Sequence, residues 1–150
     1  MIIRKAGLQD LNDIVRIERL CFPEETAFPA GMFAYLIRHA QALVALDIDG
    51  RMMGFIVGYA SGRTGVIYTL DVDPEFRRKG VGTRLLNDLE EQFRSKGAAA
   101  CRLEAAVENP AALGLYRKQG YRDNALIKNY YGRGKNAFRL RKRLKSTTTP

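Results

Sequence analysis

Val66-Ile67-Tyr68-Thr69-Leu70-Asp71-Val72-Asp73-Pro74, with Arg77-Arg78-Lys79-Gly80-Val81-Gly82-Thr83 two residues further on, sets the architecture. The first part is an apolar, β-rich run that ends at a proline, which reads as a strand. Beyond it, Val81, Leu85, Leu86, Leu89 and Phe93 recur at spacings of three and four, and Gly97 stands where a helix C-terminal glycine belongs. The unit is therefore strand, basic-glycine turn, helix. Such a junction suits an anion: the first amides of a helix lack intrahelical acceptors and lie at the positive end of its dipole. Gly80 and Gly82 leave room for a close-approaching phosphate, and Arg77, Arg78 and Lys79 add charge. The spacing does not fit a dinucleotide fold, because its third glycine falls on Leu85, and no Gly-Lys-Ser/Thr of a P-loop is present. Neither NAD nor ATP is favoured.

Arg77-Arg78-Lys79-Gly80-Val81-Gly82 resembles the Arg/Gln-x-x-Gly-x-Gly/Ala signature of the GNAT acetyltransferase superfamily. A second segment, 103–121, resembles that family's strand, Asn-x-x-Ala, Leu-Tyr and Gly-Phe/Tyr pattern through Asn109, Ala112, Leu115-Tyr116 and Gly120-Tyr121. The resemblance spans about 2–144. It implies an α/β fold with a mixed, largely antiparallel sheet flanked by helices. The strands ending near Val72 and Val107 would splay into a cleft for acetyl-coenzyme A, with no metal.

At 150 residues the chain suits one domain, expected over 1–145 with a frayed tail at 146–150, and can bury about two thirds of its unfolded surface. Cys21 and Cys101 lie far apart and read as buried, reduced thiols. The N-terminus is too short in apolar residues for a signal sequence, and no run approaches a membrane span, so the expectation is a soluble cytoplasmic protein. With 25 Lys+Arg against 16 Asp+Glu the net charge is +9, which attracts polyanions: coenzyme A, ribosome or nucleic acid.

Along the chain, 2–6 reads as a strand. Leu8, Leu11, Ile14, Val15 and Ile17 give a helical stripe with Asp10 as N-cap. Pro29 is expected to open a second helix carrying Phe33, Leu36 and Ile37. Residues 42–48 and 52–61 form a hairpin across a two-residue Asp49-Gly50 turn, with Gly54 and Gly58 as bulges or kinks. After the long helix, 98–107 is the next strand, parallel to the central one. Asn109-Pro110 starts a short helix that Gly120 ends. Residues 121–131 and 136–144 make a final hairpin, with Phe138, Leu140 and Leu144 on one face and Arg139, Arg141 and Arg143 on the other. His39, without partners at ligand spacing, has no metal or triad role.

Acetyl transfer needs a held donor, a polarised carbonyl, a deprotonated amine and a proton for the leaving thiolate. The amides from Arg78 to Thr83 are the candidates for the phosphates. Exposed backbone along Leu70-Asp71-Val72 could pair with the pantetheine arm, and a backbone N–H near Leu70 could polarise the acetyl oxygen. Glu104, fixed mid-strand, is the candidate base, with a balancing role toward Arg102 or a nearby lysine as its structural counterpart. The family resemblance implies Tyr116 as the acid and Asn109 as a coenzyme contact as well as a cap. Lys128-Asn129-Tyr130-Tyr131 is similar to the terminal hairpin of the ribosomal-protein alanine and protein N-terminal acetyltransferases, implying that Tyr130 and Tyr131 line a peptide groove. Neither cysteine sits in a nucleophile motif, so transfer is expected to be direct. Two other readings remain open. One is a small-amine acetyltransferase using Glu24, Glu25 and Asp47; the other is a ribosome- or nucleic-acid-binding module using Arg139, Arg141, Lys142, Arg143 and Lys145.

Overall fold

The computed structural model describes residues 1–145, so the tail expected at 146–150 lies outside the described residues. Its strands are β1 (Ile2–Lys5), β2 (Gln41–Leu46), β3 (Met52–Ser61), β4 (Thr64–Val72), β5 (Ala100–Ala106), β6 (Arg122–Gly132) and β7 (Lys135–Arg143). The helices are α1 (Leu11–Cys21), α2 (Ala30–His39), α3 (Val81–Ser95) and α4 (Pro110–Lys118). The strands hydrogen-bond in the order β1-β2-β3-β4-β5-β7-β6, the mixed α/β arrangement expected from the sequence. By contacts the chain forms two compact units, Met1–Tyr59 with Thr69–Leu89, and Ala60–Tyr68 with Glu90 onward.

In the first unit β1 and β3 flank β2, both antiparallel to it. The stripes of α1 and α2 deliver Ile14, Ile17, Phe33, Leu36 and Ile37 to a core completed by Val44, Phe55 and Val57. Phe28, Phe33 and Phe55 meet edge to face at 5.9 and 5.5 Å between ring centroids. Pro29 is the residue before α2 rather than its first turn, in extended conformation. Asp10 precedes α1, but its carboxylate turns back to accept from the Gly7 N–H at 2.8 Å and from both Arg4 guanidinium nitrogens at 2.8 and 2.9 Å.

The β2–β3 turn differs from the expected two-residue loop. Asp47 N–H bonds Arg51 O, and the loop between them is Ile48-Asp49-Gly50. Asp47 Oδ1 accepts from the amides of Asp49 and Arg51, both at 2.9 Å, which favours the longer loop. That acid is thereby committed to turn formation. At Gly54 the reason for glycine is close approach rather than a bulge: a Cβ there would lie 2.5 Å from Asp71 O. The sheet irregularity falls instead between Ala45 and Leu46.

In the second unit, β4 pairs in parallel with β5 from Thr64↔Ala100 to Ile67↔Leu103. β7 pairs antiparallel with β5 and with β6. Gly97, at φ +94°, closes α3, and the Ala98 N–H returns to Phe93 O at 3.0 Å. Asn109 Oδ1 accepts from Ala112 N–H at 3.1 Å and caps α4, with Pro110 in the first turn as the sequence predicted. Leu140 and Leu144 are buried, but the strand parity hides an exception. Lys142 shares their face and donates from Nζ to the buried Glu90 at 2.9 Å, while Tyr121 donates from its hydroxyl to the other Glu90 oxygen at 2.6 Å.

Candidate active site

In the first unit β4 ends at Val72, and Asp73 starts a short 3-10 turn by accepting from the Glu75 N–H at 2.9 Å. The chain then passes through two left-handed residues, Arg78 at φ 65° and Gly80 at φ 79°, before α3 begins. Alternation of this kind gathers successive N–H groups around a concavity suited to an anion. Arg78, Lys79 and Gly80 are exposed, and nothing lies within 4 Å of where a Gly80 Cβ would stand. An L side chain at Gly80 would be strained by the positive φ and would project into this open space. Beyond it, the first turn of the 15-residue α3 adds unpaired amides at the positive end of its dipole. The residues present therefore fit the phosphates of a coenzyme. Val81 and Gly82 are buried and Thr83 is half-buried.

Two of the predicted donor-side residues behave differently from their sequence reading. Arg77 folds back: its Nε donates to Val72 O at 3.2 Å and a terminal nitrogen approaches Cys21 Sγ at 3.5 Å. It secures the end of β4 while staying exposed to solvent. Asp71 is 1% exposed and turns its carboxylate to Thr69, so any ligand contact there is left to its backbone. Leu70 and Val72 are half-buried. Cys21 is also half-buried rather than fully buried, with its thiol pushed up to about 11, first by desolvation and then by Asp71.

In the second unit Glu104 lies on β5 opposite Arg139 on β7. Its Oε1 accepts from the Tyr130 hydroxyl at 3.2 Å and its Oε2 from Arg139 Nε at 3.1 Å, with Arg102 3.6 Å away. The Tyr131 hydroxyl donates to the backbone oxygen of the same Glu104 at 3.3 Å. Adjacent residues of a regular strand point to opposite faces, so two neighbouring tyrosines meeting one residue requires a break in the strand. Asn129 supplies it. It sits at φ 60°, its amide donates to Asn136 Oδ1 at 3.0 Å, its own Oδ1 accepts from Gly134 N–H at 2.7 Å, and the register shifts between Ile127 and Gly132. The two rings then pack edge to face at 4.8 Å. Burial, followed by the Tyr130 and Glu104 charges, pushes the Tyr131 phenol up to about 12. Burial and Glu104 raise Tyr130 as well. Both are neutral hydrogen-bond donors at neutral pH.

The ionic partners of Glu104 are Arg139 and Arg102, the second being the balancing partner that the sequence suggested. Tyr116 is buried on α4, its ring edge to face with Tyr121 at 5.7 Å. Asn109 is held at the N-terminus of the same helix. Sequence reasoning missed the Glu104–Arg139 pairing and the buried Glu18–Thr69–Asp71 cluster. The alternation of arginines along β7 was a usable signal for the first, whereas the second joins residues 51 positions apart without a local pattern. Among the described residues no cluster of His, Cys, Asp and Glu could hold a metal ion.

A family model described as acetyltransferase (GNAT) matches residues 10–121. An uncharacterised N-acetyltransferase of Methanocaldococcus jannaschii is 34% identical over 154 aligned positions, covering 100% of this chain and 96% of its own. An N-alpha-acetyltransferase of Sulfolobus acidocaldarius is 33% identical over 150 positions, covering 91% of this chain and 88% of its own. Among solved structures, Ard1 of Thermoplasma volcanium matches with a TM-score of 0.86 at 27% identity, covering 97% of this chain and 98% of its own.

Proposed function

This chain belongs to the acetyltransferase (GNAT) family and is an acetyl-CoA-dependent N-acetyltransferase, and on that premise we propose that its acceptor is the α-amino group of a protein N-terminus, such as that of a ribosomal protein. The observation that carries the reading is the convergence of Tyr130, Tyr131 and Arg139 on Glu104, a carboxylate held on a strand with its partners fixed. Acetyl-CoA supplies an acyl group activated as a thioester. The chain's contribution is to bind, orient and move protons. The turn from Arg78 to Thr83 receives the phosphates, and the β4 backbone at Leu70 and Val72 aligns the acyl arm.

Glu104 is the base. It withdraws the ammonium proton of the acceptor, directly or through one water, using the acceptor capacity left beside Tyr130 and Arg139. A model α-amino group ionises near pH 8, roughly 2 units below lysine, so a carboxylate suffices for an N-terminus where it would not for a side-chain amine. Tyr130 and Tyr131 keep the carboxylate and its strand in place and present ring faces to the acceptor. The Tyr116 hydroxyl holds the proton destined for the departing sulfur.

The finer partner assignment follows from charge. Arg122, Arg141 and Arg143 are exposed on the β6–β7 hairpin and form no ion pair among the described residues, which supports docking on the ribosome. A cytoplasmic location goes with this reading, supported by the two free cysteines. No described helix is long and apolar enough to cross a membrane.

The test uses peptide kinetics. Tyr130→Phe and Tyr131→Phe are expected to raise the KM for a peptide with a free N-terminal alanine while leaving coenzyme affinity unchanged. Wild-type KM values in both variants, or turnover of the same peptide after its N-terminus is blocked, would overturn the acceptor assignment.

A further inference from the structure

Glu18, Thr69 and Asp71 form a polar cluster sealed from solvent, with exposures of 2%, 7% and 1%. Thr69 and Asp71 are two residues apart on β4 and project to the same side, while Glu18 comes from α1. Thr69 Oγ1 lies 2.5 Å from Asp71 Oδ1 and 3.4 Å from Glu18 Oε1. The Phe28 N–H donates to Glu18 Oε2 at 2.9 Å. Asp71 Oδ2 is then left buried without a hydrogen-bond donor.

Among the described residues neither acid has an ion-pair partner. On α1, the Cys21 thiol donates to Val72 O at 3.4 Å, and Arg16 is paired with Asp73 at 3.2 Å. On the turn after β4, Arg77 is bonded to Val72 O and Cys21 Sγ. Two ionised carboxylates in contact without a cation are strongly disfavoured in a water-excluded site. A single proton resolves this. Placed on Asp71 Oδ2, it turns an orphaned acceptor into a donor, and Glu18, which meets the same Thr69 hydroxyl and shares a side-chain hydrogen bond with Asp71, is the carboxylate on hand to accept. Desolvation, then the Glu18 hydrogen bond and charge, hold Asp71 well above the usual carboxylate range, against the opposing pull of Thr69 and Arg77.

We propose that Asp71 keeps its proton at neutral pH, donates it from Oδ2 to Glu18, and so acts as a positioning residue that clamps β4 to α1. Glu18 also fixes the Phe28 amide, so this one proton ties the end of β4 to the segment that follows α1. The positioning role rests on the reading of the Leu70 and Val72 backbone as the donor-aligning strand. Loss of the proton to solvent at alkaline pH leaves two adjoining carboxylates, which separate and release both segments.

The proton is tested without substrate, by infrared spectroscopy of the protonated-carboxyl stretch in wild type, Asp71→Asn and Glu18→Gln at neutral pH and through an alkaline titration. A stretch present in wild type, absent in Asp71→Asn and lost at alkaline pH is expected. Its absence from wild type at neutral pH, or its persistence in Asp71→Asn, overturns the assignment. Positioning is tested by coenzyme affinity and peptide kcat/KM against pH. Asp71→Asn, which keeps a neutral donor, should stay near wild type at neutral pH and lack the wild-type alkaline loss. Asp71→Ala should fall about tenfold, the scale of one lost hydrogen bond to a charged group. An alkaline limb identical in wild type and Asp71→Asn overturns the clamp. Should no peptide be acetylated, the infrared result and the coenzyme titration still decide the proton and the clamp, and the acceptor assignment fails separately.

Discussion

Replacing Glu104 by Gln separates its two roles, because the surroundings respond differently to each. The amide oxygen of Gln can still accept from Tyr130, whose hydroxyl lies 3.2 Å from Oε1. What is lost is the charge opposite Arg139 and Arg102, whose side chains are 34% and 31% exposed. Ion pairs with that much solvent access contribute at most about 1 kcal/mol, so stability and coenzyme affinity should change little. The loss of a positioned base is another matter: it costs on the order of 10²–10⁴ in rate, about 3–5 kcal/mol in the barrier. Arg139→Gln removes the same ion pair but leaves the base, and should cost no more than about fivefold. The assay is initial-rate thiol release from acetyl-CoA with an alanine-starting peptide across neutral and mildly alkaline pH, with coenzyme affinity measured alongside. In Glu104→Gln the residual rate should climb toward the ionisation of the amine near pH 8, since the amine must then lose its proton unaided. Equal losses in Glu104→Gln and Arg139→Gln, with an unchanged pH–rate profile, would refute the base and leave Glu104 as a strand-to-strand tie.

Lys142→Met should strand the buried Glu90, 3% exposed, with the Tyr121 hydroxyl as its remaining partner among the described residues, at about 3–5 kcal/mol or roughly 10 °C in Tm. Thermal unfolding of Lys142→Met/Glu90→Gln should recover most of that loss, because the uncompensated charge is gone. The Arg4 hydrogen bonds hold Asp10 below the usual carboxylate range. Their stabilisation is therefore present above the unfolded value near pH 4 and is lost as pH falls through the lower folded value. Asp10→Asn should cost about 1–2 kcal/mol in urea unfolding at neutral pH, discounted for an Arg4 side chain 38% exposed, and progressively less in acid. Arg78→Glu and Lys79→Glu, both at exposed positions, should each weaken coenzyme binding about tenfold by calorimetry and leave Tm unchanged. Binding as tight as wild type in both would place the phosphates elsewhere.

The elements most legible in the sequence were those whose cause is local. The run ending at Asp73-Pro74, the stripe from Val81 to Phe93 and the Asn109-Pro110 cap each carry their own signal within a few residues. The parallel β4–β5 pair followed from the helix that intervenes. Less legible were features that depend on a side chain finding a distant partner. Asp47 lengthens a turn by capping it, and Arg77, although exposed like its neighbours in sequence, donates back to Val72 O. At the site, Glu104 and the tyrosine pair were visible as residue types, but their meeting depends on the left-handed Asn129 that breaks β6. The Glu90–Lys142 and Glu18–Thr69–Asp71 clusters join residues more than 50 positions apart, where hydrophobic periodicity says nothing.

The most direct test of the central claim is acetyl-CoA-dependent thiol release measured against short peptides with free N-terminal Ala, Ser, Met or Gly, the same peptides N-blocked but containing lysine, and spermidine. The account predicts turnover with free N-termini alone, dependent on Glu104. Turnover confined to spermidine or to the lysine of a blocked peptide would contradict it.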